Sequence, residues 1–124
     1  MSQLQLTKCE LEVMDVVWAL GKATVQNVVD KLERPLAYTT VMTTLKILDE
    51  TRGVLRKEMC GRAYVYEAAV SREEVSRSMA GDLTNRLFGG SVKSLMLSLM
   101  DPKTISPDEI RELKEAISQL EEQC

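Results

Sequence analysis

Three interruptions divide the first half of the chain, and they leave it little choice of fold. Gly21, the Arg34-Pro35 pair and Gly53 each stop a segment whose apolar residues recur every three or four positions, the spacing that lines them up on one face of a helix. The first segment opens at Thr7 with Glu10 three residues later, the reciprocal cap that satisfies otherwise orphaned N–H groups. Leu11, Met14, Val17 and Trp18 follow, which predicts a helix over 8–20, with Trp18 read as part of its core face. Thr24 caps a second helix whose face is Val25, Val28, Val29 and Leu32. A third pattern runs from Tyr38 to Glu50, with Val41, Leu45 and Leu48 on its stripe. Beyond Gly53, the runs 54–58 and 63–67 flank Cys60-Gly61-Arg62 and read as two strands about a glycine turn. Helices followed by a hairpin in this order predict a winged helix-turn-helix domain over 1–70.

The second half is helical throughout. Ser71 with Glu74 caps a helix carrying Val75, Met79, Leu83 and Leu87, which stops at Gly89-Gly90. Ser91 caps a fifth helix with Val92, Leu95, Met96 and Leu99, and Ser106-Pro107 opens a sixth along Ile110, Leu113, Ile117 and Leu120. Too little chain is present for these stripes to close a core alone, so burial against a second copy is the simplest way to cover them. The expectation is a mainly α protein with a small β-hairpin, its 71–124 portion a helical dimerisation domain. Leu83, Leu87, Phe88, Leu95, Leu99, Ile110, Leu113, Ile117 and Leu120 would line the homodimer contact.

Composition removes several classes of function. The 124 residues include no histidine and only 4% aromatic side chains, which argues against a large aromatic-lined ligand pocket. Cys9, Cys60 and Cys124 are far apart, so neither a disulfide framework nor a zinc site is expected. No nucleophile is accompanied by a base and no glycine-rich phosphate loop is present, so no enzyme, cofactor or metal is predicted. With no charged-then-apolar leader and no membrane-length apolar run, the chain reads as cytoplasmic.

A formal charge of −3 does not by itself suggest nucleic acid. Between Arg34 and Arg62, however, six basic residues face three acidic ones. Thr39, Thr40, Thr43 and Thr44 crowd the third helix although β-branching makes them poor helix formers. Short polar side chains on a helix can meet base edges in a major groove, while Lys and Arg fix register on phosphates. The residues expected at DNA are therefore Tyr38, Thr39, Thr40, Thr43, Thr44, Lys46 and Ile47 from the helix, with Arg56, Lys57 and Arg62 from the hairpin. The blander account has the threonines bonding back to their own helix, Ile47 as a lone exposed side chain and the hairpin cations merely solvated. Under it the winged helix is a protein-interaction module without specific DNA binding, the alternative function.

Leu6-Thr7, Glu10 to Met14, Trp18, Tyr38 to Leu45, Gly61 to Tyr66, Leu87 to Ser91 and Ser106 to Ile110 together resemble the penicillinase and methicillin-resistance repressors (BlaI/MecI type, related to CopY-type repressors). The resemblance implies repression by a homodimer on a palindromic double-stranded operator, with Tyr38 to Lys46 as the recognition helix and Cys60-Gly61-Arg62 as the wing. It also implies a sensor or protease as the partner that relieves repression. Three departures stand out. Ile47 occupies a place usually held by arginine, the Asp49 to Gly53 segment is one residue longer than usual, and Ser98-Leu99 stands where antibiotic-responsive members are cleaved at an Asn-Phe bond. Cys124 stands alone where CopY-type relatives carry a metal-binding cysteine cluster.

Overall fold

A computed structural model of the protein describes residues 4–124. Helix α1 (Lys8–Leu20) starts where the reciprocal cap predicts, the Thr7 hydroxyl accepting from Glu10 N at 3.2 Å and the Glu10 carboxylate accepting from Thr7 N at 2.8 Å. Gly21 ends it at φ +83°, a left-handed value open to glycine at little steric cost. The chain then forms β1 (Lys22–Ala23), α2 (Val25–Lys31) capped by Thr24, and α3 (Tyr38–Glu50). The hairpin follows as β2 (Leu55–Cys60) and β3 (Ala63–Ala68), turning at Gly61 with φ +65°.

Strand β1 is absent from the sequence reading. Its two residues, Lys22 and Ala23, pair antiparallel with Glu67 and Tyr66 of β3, making a sheet of order β1-β3-β2. This strand ties the α1–α2 link to the hairpin, and with it the molecule has the element order of a winged helix. The helices and sheet enclose an aliphatic core. Val13, Met14, Val17, Val28, Val41, Leu45, Leu48 and Val54 are fully buried, each contributing about 1.5–3 kcal/mol by leaving water.

Helix α4 (Arg72–Phe88) begins at a third reciprocal cap, Ser71 with Glu74, after those of Thr7 with Glu10 and Thr24 with Asn27. Its start is fastened to α1. Trp18 Nε1 donates to the Val70 carbonyl at 3.0 Å, and Arg72 lies over the Trp18 ring while pairing with Asp15. Val75 is 2% exposed and belongs to the aliphatic core. The first compact unit accordingly extends past Val70, to Leu83.

The second unit, Thr84–Cys124, contains α5 (Val92–Leu99) and α6 (Pro107–Gln123), capped by Ser91 and Ser106. Neither of these helices has a buried residue. Leu87, Leu99, Ile110, Ile117 and Leu120 are all exposed, Leu120 at 60%, while Phe88, Leu95 and Leu113 are partly covered. Among the described residues no helix is long and apolar enough to cross a membrane.

Candidate nucleic-acid interface

The rotation of α3 about its axis is set by what it buries. Val41, Leu45 and Leu48 are wholly enclosed. At about 100° per residue, this turns Thr39, Thr43, Lys46 and Glu50 to the opposite side, with Met42 and Ile47 on the flanks. All six are exposed, as are Tyr38 and Thr40 at the start of the helix.

Thr44 corrects the expectation. It is 7% exposed, its hydroxyl donates to the Thr40 carbonyl at 2.8 Å, and Cys9 Sγ lies 3.7 Å from the same oxygen. Its position between Val41 and Leu48 puts it at the margin of the apolar stripe, where the helix's own carbonyl is the nearest acceptor. The back-bonding account therefore holds at Thr44. Among the described residues, the hydroxyls of Thr39, Thr40 and Thr43 have no hydrogen-bond partner and stand open to an external one.

The N-terminus of α3 is also open. Thr7, Thr24, Ser71, Ser91 and Ser106 cap the other helices, but Ala37 holds the N-cap position of α3 and offers no side-chain acceptor. Its first N–H groups and the positive end of its dipole face solvent.

The local excess of cations is mostly used up inside the subunit. Arg34 binds Glu12 through two nitrogens at 3.0 and 2.7 Å, and Arg52 binds Glu10 through two at 3.1 Å. Arg56 bonds across the ladder to Glu67 at 2.9 Å, and Lys57 pairs with Asp49 at 3.5 Å while lying over the Tyr64 ring. Carboxylate pKa values register these pairs: hydrogen bonds from Arg34 and Arg56 hold Glu12 and Glu67 below their ordinary range. Arg56 and Lys57, both expected at DNA, are thus engaged within the hairpin region. Lys46 and Arg62 remain, exposed and without an ion-pair partner among the described residues. Met42, left out of the sequence-based set, could have been placed by the same 100° count that selects Thr39 and Thr43.

A model of the penicillinase repressor family matches residues 6–119. The chain belongs to that family. Among its relatives, the penicillinase repressor of Bacillus licheniformis is 26% identical over 117 residues, covering 93% of this chain and 91% of that protein. The methicillin resistance regulatory protein MecI of Mammaliicoccus sciuri is 22% identical over 116 residues, covering 92% and 94%. The solution structure of the DNA binding domain of the repressor BlaI superposes with a TM-score of 0.52 at 27% identity, covering 60% of this chain and 93% of that one. The span matched to the penicillinase repressor family takes in both compact units described above.

Proposed function

We propose that this family member is a sequence-specific DNA-binding transcriptional repressor, a homodimer acting on a palindromic operator. One observation carries the reading. A buried Val41/Leu45/Leu48 stripe holds α3 so that unsatisfied hydroxyls, a free lysine and an uncapped N-terminus all face outward.

In a major groove, Thr39 and Thr43 would meet base edges. Tyr38, Thr40 and the first N–H groups of α3 would take phosphate oxygens, and Lys46 would add charge. Ile47 would lie against the groove wall. Arg62 at the wing turn would reach a phosphate or the adjacent minor groove. Arg56 and Lys57 would join only by giving up Glu67 and Asp49. The exposed apolar stripes of α5 and α6 would pair two copies, setting two α3 helices about one DNA turn apart and blocking transcription by occupancy in the cytoplasm. A sensor or protease would relieve repression. Since Ser98-Leu99 replaces the Asn-Phe bond of the antibiotic-responsive members, cleavage there requires a different specificity.

Fluorescence anisotropy on fragments selected from genomic DNA, repeated across a salt series, tests this. Lys46 and Arg62 from two subunits give about four phosphate contacts and a log–log salt slope of about −4. A protein-interaction module would show no sequence-selective binding. A monomer in sedimentation at micromolar concentration would contradict the dimer.

A further inference from the structure

Base edges in the major groove are usually gripped by paired hydrogen bonds, Arg or Lys on guanine and Asn or Gln on adenine. Helix α3, YTTVMTTLKILDE, contains no Arg, Asn or Gln, and its one lysine sits past the middle. Beside the Tyr38 ring and the threonine hydroxyls, its N-terminal half exposes methyl groups. Thr39, Met42 and Thr43 all face solvent, Met42 at 45% exposure, within about 100° of arc, the two threonines opposite the buried stripe and Met42 at its flank. Each threonine hydroxyl can donate or accept, so it discriminates weakly between bases. The residues that reach base edges in a helix-turn-helix are those of the N-terminal part of the recognition helix, where this methyl surface lies. Ile47, also exposed, extends it by a further turn. An apolar contact in the major groove has one natural counterpart, the 5-methyl group of thymine.

We propose, resting on the DNA-binding reading above, that the operator half-site is centred on T·A pairs whose thymine 5-methyl groups pack against Thr39, Met42 and Thr43. Sequence selectivity is then carried by methyl contact, while Lys46 adds charge at the phosphates. That lysine, exposed and without an ion-pair partner among the described residues, supplies position on the duplex and little discrimination among T·A-rich sites.

The test uses the full chain and the best site selected from a random-sequence duplex pool. The selected half-site is resynthesised with deoxyuridine for each thymidine, which removes the methyl and leaves every hydrogen-bonding group in place. Affinity should fall about fourfold per contacted methyl, and roughly tenfold or more for two, with the salt slope unchanged. Thr43→Ser, which deletes a protein methyl and keeps the hydroxyl, should weaken binding to the thymine operator and leave the uracil operator nearly unaffected. Equal affinity for thymine and uracil operators, with selective binding intact, or a selected half-site made of G·C pairs, overturns the methyl reading and leaves the DNA-binding one standing. Absence of any selective binding overturns both.

Discussion

Replacing Glu10 with glutamine removes one negative charge from the joint between α1 and the segment that follows α3. Glu10 is 5% exposed, and its carboxylate accepts from Thr7 N at 2.8 Å and from Arg52 Nε and Nη2 at 3.1 Å each. Glutamine keeps the acceptor facing Thr7 but turns an amide donor or a neutral oxygen toward the guanidinium. Hydrogen bonds to charged groups are worth about 1.5–3 kcal/mol. Arg52, whose side chain is 28% exposed, recovers part of the loss from water, so about 2 kcal/mol is expected at pH 7. For a unit of this size that lowers Tm by about 8–16 °C.

The pH dependence supplies a second check on Glu10→Gln. Burial pushes the Glu10 carboxyl up, but the bonds from Arg52 and Thr7 pull it further down, so it titrates below its ordinary value. A depressed carboxylate contributes stability above its unfolded pKa of about 4.3, and that contribution disappears as pH falls through the folded value. The gap between wild type and Glu10→Gln should be full from pH 7 to about 5 and should narrow below about 4. Urea unfolding followed by circular dichroism at pH 7, 5 and 3.5 measures it. A gap under about 0.5 kcal/mol at pH 7, or one undiminished at pH 3.5, would refute the reasoning.

Four further outcomes are expected. Arg62→Ala should weaken operator and non-operator DNA alike and cut the salt slope of the dimer by about 2, measured by anisotropy. Thr43→Ala, which removes both the hydroxyl and the methyl, should lower operator affinity while Thr44→Val changes it by less than about threefold, because the Thr44 hydroxyl is spent on the Thr40 carbonyl; the reverse ranking would place the wrong face of α3 at DNA. Ala37→Asp should raise the stability of the protein by about 1 kcal/mol through a new N-cap and at the same time reduce DNA affinity, since its carboxylate occupies the helix end proposed for a phosphate. Ile117→Asp, on a side chain 48% exposed in the single chain, should give a monomer in sedimentation while leaving the unfolding of the winged-helix unit unchanged.

Helix starts were legible because capping is a local event. Thr7 with Glu10, Ser71 with Glu74, and Thr24, Ser91 and Ser106 each reach a backbone N–H three residues away. The hairpin was equally readable, its register from Leu55↔Ala68 to Cys60↔Ala63 closing on one glycine turn. The cations of the interface were not. Arg52 finds Glu10 across 42 positions and Arg34 finds Glu12 across 22, so the basic run in the sequence overstates the charge left for a partner. Nor could the division after Val70 anticipate Val75, which is buried in the same aliphatic core as the residues before it.

Along α3 the two kinds of information separate cleanly. The amino-acid order alone determined that a helix runs from Tyr38 to Glu50 and that Val41, Leu45 and Leu48 share one stripe, because helical periodicity depends only on spacing. Only the tertiary structure decided that burial reaches past this stripe to Thr44. Thr43 and Thr44 are chemically identical neighbours, and it is the depth of the core and the proximity of Cys9 that turn one hydroxyl to solvent and bury the other.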